Sequence, residues 1–332
     1  MKILFVHNGL RRFVKLDLEI LQSTYDVKII EYSSRRSYLS EIIAGVEWCD
    51  LVFGWWATWH MLLPSLGAYI KNKPVIVVGG DYDIIFDRKY RTKKRLVFDK
   101  LRNWLGYILF PLIDNFIVFS SFSESQALKL PYIKKDKVNR IYLGVPDIAR
   151  GISVNKKDNL VLSVGSIHQY DVYRKGYKAF VQSANYLPDY QYVLAGPWKD
   201  ESISLLRSWN NRNVSYPGFL SDDELYYLMC EAKVYAQVSL HEGFGMALAE
   251  AMLCQCIPVI TNQGSIPEVV GDCGFYVPYG DLQKTADAIR QACSDSSDLG
   301  IRARERILSI FPIENRKVQL LQVFEEASSN KR

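Results

Sequence analysis

Long hydrophobic runs are missing from this sequence. The longest apolar stretch, Leu105 to Ile113, is broken by Pro111 and followed by Asp114, well short of the roughly 20 residues a bilayer span needs. At the start, Met1-Lys2-Ile3-Leu4-Phe5-Val6 reaches polar His7 and Asn8 before a signal-peptide core could form, so a cytoplasmic protein is expected. Cysteine is scarce: the six (Cys49, Cys230, Cys254, Cys256, Cys273, Cys293) include no C-x-x-C pair, which argues against a disulfide framework or a structural zinc site and for reduced, buried thiols. Neither a Walker A sequence nor the G-x-G-x-x-G of a dinucleotide fold occurs, which argues against a dehydrogenase. No nucleic-acid recognition module is visible either, so nucleic acid is not an expected partner.

What is present is an ordinary composition, 48% hydrophobic and 23% charged over 332 residues, long enough for two domains. Charge is uneven. Residues 1–150 hold 23 Lys/Arg against 15 Asp/Glu, while residues 151–332 hold 18 against 21. Much of the excess lies between Arg88 and Arg102, directly before Trp104-Leu105-Gly106-Tyr107-Ile108-Leu109-Phe110. Two readings fit that arrangement: a peripheral contact with an anionic membrane at the inner face, or a solvated helix face leading into a core helix.

Periodicity gives the architecture. Short β-branched or aromatic runs (Ile3–His7, Val27–Tyr32, Leu51–Trp55, Val75–Val78, Phe116–Ser120, Val138–Leu143) alternate with longer helical patterns. Near-continuous apolar runs such as Pro74 to Val78 are what strands covered on both faces look like. A polar stretch from Arg150 to Asn159 reads as a linker, after which the alternation resumes with Leu160–Val164, Tyr192–Ala195, Val214–Tyr216, Val234–Val238 and Ile257–Ile260. The expected fold class is α/β, two Rossmann-like domains facing across a cleft: residues 1–150, residues 151–312, and a C-terminal helix over 313–332 packing back on the first domain. With no catalytic triad in view, the cleft is the expected place of chemistry.

The most informative segment is His241-Glu242-Gly243-Phe244-Gly245-Met246-Ala247-Leu248-Ala249-Glu250, which follows the strand Val234–Val238. Gly243 and Gly245 let a ligand approach the main chain, and a helix starting near Gly245 presents unpaired amides and a positive dipole end to a phosphate. Glu242 before that helix and Glu250 within it can face one ligand as acceptors for sugar hydroxyls. The competing structural reading has Glu242 only complementing the helix dipole and Glu250 on a solvated face.

Glu242 to Glu250 resembles the E-x7-E motif of family 4 of the retaining glycosyltransferases. The similarity continues in Gly79-Gly80-Asp81-Tyr82-Asp83, Gly144-Val145-Pro146-Asp147, Val164-Gly165 with Arg174-Lys175-Gly176, Pro217-Gly218-Phe219-Leu220 and Gly264-Ser265-Ile266-Pro267-Glu268. The resemblance implies a GT-B fold and transfer, with retention, from a UDP- or GDP-linked sugar to a glycan or lipid-linked acceptor. Neither metal nor cofactor is implied. Glu250 would bind the donor ribose and Glu242 the donor sugar. Gly243, Phe244, Gly245, Met246 and Ala247 would line the sugar and diphosphate, Lys175 would contact the diphosphate, and Phe219 would stand in the loop that holds the base. Gly9 would let main chain approach the diphosphate from the facing loop.

Two departures from the family pattern stand out. Ser166 occupies the place of a usual Arg after Gly165, with Arg174 as a candidate substitute. Gly79-Gly80-Asp81 replaces a usual His, so Asp81 would orient an acceptor hydroxyl or simply form a turn. Asp81-Tyr82-Asp83 also spells D-x-D, a metal motif of another glycosyltransferase fold, discounted on context. The alternatives are a nucleotide-sugar epimerase and a catalytically silent sugar-nucleotide or glycan-binding protein.

Overall fold

The computed structural model describes residues 1–32, 39–81, 83–84, 101, 103–209 and 212–329. Tyr82 and the basic residues of the Arg88–Arg102 segment lie outside them. By internal contacts the chain divides into Met1–Gly144 with Ile313–Arg332, and Val145–Pro312.

The first unit is built on a parallel sheet of six strands: β1 (Lys2–His7), β2 (Asp26–Glu31), β3 (Leu51–Trp55), β4 (Val75–Gly79), β5 (Asn115–Val118) and β6 (Val138–Arg140), ordered β2-β1-β3-β4-β5-β6. Central strands are apolar almost throughout because helices cover both faces; every residue of β3 and β4 is buried. In register, Val6 of β1 stands between Ile30 and Gly54. The connecting helices are α1 (Arg12–Gln22), α2 (Leu39–Trp48), α3 (Leu62–Ile70), α4 (residues 103–109) and α5 (Ser121–Ala127). On α1, Val14, Leu18 and Leu21 recur at helical spacing and are buried. Ile42 and Val46 of α2, Ala68 of α3, Leu109 of α4 and Ala127 of α5 enter one core cluster with Leu4, Val52 and Val77, which places α2 to α5 on a common face of the sheet. Ser120 caps α5 by accepting the Ser123 amide at 3.0 Å.

The second unit repeats the plan with β7 (Lys157–Val164), β8 (Gln191–Ala195), β9 (Val214–Gly218), β10 (Ala232–Gln237), β11 (Ile257–Thr261) and β12 (Phe275–Val277), all parallel in the order β12-β11-β10-β7-β8-β9. Its helices are α6 (Gln169–Arg174), α7 (Tyr177–Ser183), α8 (Ser202–Trp209), α9 (Asp222–Glu231), α10 (Met246–Leu253), α11 (Ile266–Val270), α12 (Leu282–Ser294) and α13 (Leu299–Ile310). A reciprocal cap opens α9: Ser221 Oγ accepts the Glu224 amide while Glu224 Oε2 accepts the Ser221 amide at 2.8 Å. One expectation is corrected here, and one strand is added. Lys157-Asp158-Asn159, read as linker, begins β7 as its exposed end, and the three-residue edge strand β12 has no run long enough to show a period.

The last helix, α14 (Ile313–Ser329), belongs to the first unit. Arg316 on it donates to both carboxylate oxygens of Asp17 on α1, at 3.0 and 2.7 Å, and to the Ile141 carbonyl at 2.8 Å. Both side chains are buried, so the pair is satisfied by geometry rather than by water. All six cysteines are free and buried.

Candidate functional site

The site assembles at the C-terminal ends of the second unit's strands, where ligands of open α/β sheets bind. β10 runs into the loop 238–245, and Gly245 closes it in the left-handed region (φ 93°, ψ 53°) as the residue before α10. Having no side chain, Gly245 cannot cap the helix, in contrast to Ser221 on α9. The first-turn amides of Met246 and Ala247 therefore open at the positive end of the helix dipole, a setting that favours an anion. Gly243 and Phe244 are buried. The Phe244 ring packs edge-on against Phe311 at 5.3 Å, so Phe244 can offer a ligand its main chain only.

Glu242 sits three residues ahead of Gly245. Its Oε1 accepts from Lys175 Nζ at 3.2 Å and Ser239 Oγ at 3.1 Å, with Arg174 Nη1 at 3.6 Å. Its carbonyl accepts from Ser265 Oγ at 3.0 Å, which fixes the loop from the far side. Arg174 donates Nε and Nη2 to Asp171 Oδ1 at 3.1 and 2.8 Å and Nη1 to the His241 carbonyl at 3.2 Å. Ser166 Oγ donates to the other Asp171 oxygen at 2.9 Å. Ser166, Asp171, Arg174, Glu242 and Lys175 thus form one continuous polar chain. Two cations and two carboxylates balance within it, so an arriving anion finds a lysine already oriented and little net charge to desolvate.

Arg174 is fastened at both ends of its guanidinium and shapes the loop. Lys175, a compact cation on a flexible stem, is the one that can turn to a phosphate.

Glu250 lies on α10 and is 3% exposed. The Tyr235 phenol beneath it is pushed well above its ordinary range by burial and next by the charges of Glu242 and Glu250, so the two glutamates share one electrostatic neighbourhood. Phe219 follows Gly218 (φ 81°) and is 77% exposed, an uncovered ring beside the ends of β8 and β9.

Gly9 and Asp81 belong to the first unit. Gly9 has φ 146° and open space where a Cβ would stand, and its amide donates to His7 Nδ1 at 3.2 Å. Asp83 is buried and accepts the amides of Gly80, Asp81 and Ala57 at 3.0, 3.0 and 3.2 Å, which commits its carboxylate to the turn. No group of three or more His, Cys, Asp or Glu side chains that could hold a metal occurs among the described residues, and no helix among them is long and apolar enough to cross a membrane. Sequence reasoning missed Asp171 and Ser239. Asp171 stands at i−3 from Arg174, a helical pairing signal; Ser239 carried none.

Residues 145–307 match the family described as glycosyl transferases group 1. The matched residues lie within the second unit. O-antigen chain mannosyltransferase B of Escherichia coli is 32% identical over 133 residues, covering 37% of this chain and 35% of that protein. The chain thus spans about a third or less of the curated relatives it first matches. Among solved structures, Anabaena HepE in complex with UDP superposes with a TM-score of 0.75 at 16% identity, covering 98% of this chain and 100% of that one. A sucrose-phosphate synthase of Thermosynechococcus elongatus gives 0.74 at 18% identity, covering 98% of each. The two parallel six-stranded units are a GT-B fold.

Proposed function

We propose that this protein is a retaining glycosyltransferase that moves a sugar from a UDP- or GDP-linked donor to a glycan or lipid-linked acceptor in the cytoplasm. The observation that carries the reading is Lys175 Nζ held 3.2 Å from Glu242 at the mouth of the glycine loop that opens α10. The donor diphosphate lies against the first-turn amides of Met246 and Ala247, Lys175 turns to it, Glu250 accepts from the ribose hydroxyls, Glu242 from the donor sugar, and Phe219 flanks the base.

As the sugar–phosphate bond loosens, negative charge grows on the departing diphosphate. Lys175 and the helix dipole stabilise that charge where it forms, the role a metal plays elsewhere, so neither metal nor cofactor enters this mechanism. The acceptor attacks from the leaving-group side, and its proton passes to the departing phosphate. Asp81 is assigned to orienting the acceptor hydroxyl. Ser166 contributes no charge, and Asp171 and Arg174 hold the loop.

The test is turnover of nucleotide sugars followed by NMR at the anomeric carbon. Retained configuration in the first product, with Lys175→Ala and Glu242→Ala each slower by at least about 100-fold, supports the assignment. Conversion of one nucleotide sugar to another with no transfer would instead make the protein an epimerase, and binding without turnover a silent sugar-nucleotide protein.

A further inference from the structure

Tyr177 opens α7 directly after Gly176, so it and Lys175 stand on either side of the turn between α6 and α7. Its side chain is 1% exposed, and its hydroxyl finds no hydrogen-bond partner among the described residues. A phenylalanine would bury the same ring without that cost, because an orphaned buried hydroxyl is destabilising. The hydroxyl therefore calls for a partner that this arrangement does not supply.

Its position says which. A Cβ on Gly165, just past β7, would stand 2.5 Å from the Tyr177 hydroxyl and 3.1 Å from Lys175 Cε, so the hydroxyl and the lysine stem share the space that Gly165 leaves open. Lys175 in turn reaches Glu242 Oε1 at 3.2 Å. Burial, then the charge of Asp171, then Tyr235 and Glu242 push the Tyr177 pKa well above its ordinary range, so the phenol stays protonated and can donate. Asp171 is already committed, with Oδ1 accepting from Arg174 and Oδ2 from Ser166. Glu242 is different. A Lys175 that turns to a diphosphate leaves a carboxylate only 13% exposed without its nearest cation, and such a group needs a replacement donor.

We propose that Tyr177 is a positioning residue of the donor site: when Lys175 turns to the diphosphate, Glu242 swings to the Tyr177 hydroxyl and accepts its hydrogen bond in place of the lysine's. The exchange rests on the donor-site reading and involves residues of the second unit alone. It lowers the cost of separating Lys175 from Glu242. A carboxylate has two oxygens, so one bonded to Tyr177 leaves the other to face the donor sugar.

The experiment compares Tyr177→Phe in two backgrounds, the parent and Lys175→Ala, by thermal unfolding and by calorimetric titration of UDP and GDP. In the parent the substitution removes an orphaned hydroxyl, so the unliganded thermal midpoint should rise by about 2 °C, while the nucleotide that binds should do so about tenfold more weakly. In Lys175→Ala the hydroxyl already serves Glu242. There the same substitution should lower the midpoint by about 2 °C and leave the remaining nucleotide affinity unchanged. A ring that matters only for packing would shift both backgrounds alike. A midpoint shift that does not depend on Lys175, or nucleotide binding indifferent to Tyr177→Phe in the parent, overturns the exchange alone when Lys175→Ala itself weakens binding. If Lys175→Ala binds both nucleotides as the parent does, the donor-site reading falls and the exchange with it.

Discussion

Gly176 and Val238 approach so closely that a Cβ on Gly176 would stand 2.0 Å from the Val238 carbonyl oxygen. Gly176 also holds φ 69°, in the left-handed region. It separates α6 from α7 and follows Lys175, while Val238 begins the loop that carries Glu242. The contact therefore sets the distance between the two residues on which the functional reading depends. Gly176→Ala is expected to cost at least about 2 kcal/mol, combining backbone strain with the steric clash. Urea unfolding checks the stability, and nucleotide binding weakened beyond the stability loss would show that the loop has moved.

The Lys175–Glu242 contact separates charge from positioning. Lys175→Ala removes the cation proposed to face the departing diphosphate and should lower kcat by about 100-fold or more while leaving the fold intact. Lys175→Arg restores charge with a bulkier, planar group and should recover only part of the rate. Steady-state kinetics on the three proteins decides it, since a purely structural lysine would show parallel losses of stability.

Within the first unit, the Arg316–Asp17 pair joins α14 to α1 across 299 positions of sequence. Both partners are buried, so Asp17→Asn strands a guanidinium and should destabilise by about 3–5 kcal/mol. Asp17→Leu with Arg316→Met removes both charges and should recover much of that loss. Chemical denaturation of the single and double variants measures the difference.

His60 gives a pH dependence. It is buried, with Nε2 2.9 Å from the Trp55 carbonyl and Nδ1 2.8 Å from Thr58 Oγ1, and burial lowers its pKa from 6.5 to about 4. Between those values the unfolded chain binds the proton and the folded chain does not, so stability rises with pH across that window. Its contribution is complete above 6.5 and falls as pH drops toward 4, by about 1.4 kcal/mol per unit at most. Unfolding midpoints at pH 7.5, 6 and 5 should show the slope in the parent and a smaller one in His60→Gln.

Much of this was legible in the sequence, for identifiable reasons. Continuous apolar runs such as Val75 to Val78 and the Ser221–Glu224 cap are local signals, and both units with most of their strands follow from such signals. Gly245 before α10 was readable because glycine at a strand-to-helix bend has a backbone reason. What escaped depends on distance or brevity. β12 is three residues long, Lys157 to Asn159 are polar yet extended, and Asp17 meets Arg316 only through the fold. The family resemblance singled out Arg174 and Ser166, but Asp171, which hydrogen-bonds to both, shows its part only in coordinates.

The donor site is tested most directly by calorimetric titration of UDP and GDP into the parent protein and into Lys175→Ala. One of the two nucleotides should bind the parent with a micromolar dissociation constant, and Lys175→Ala should weaken that binding by about tenfold or more without lowering the thermal midpoint. Neither nucleotide binding, or equal binding to both proteins, would contradict a diphosphate held by Lys175 at the start of α10.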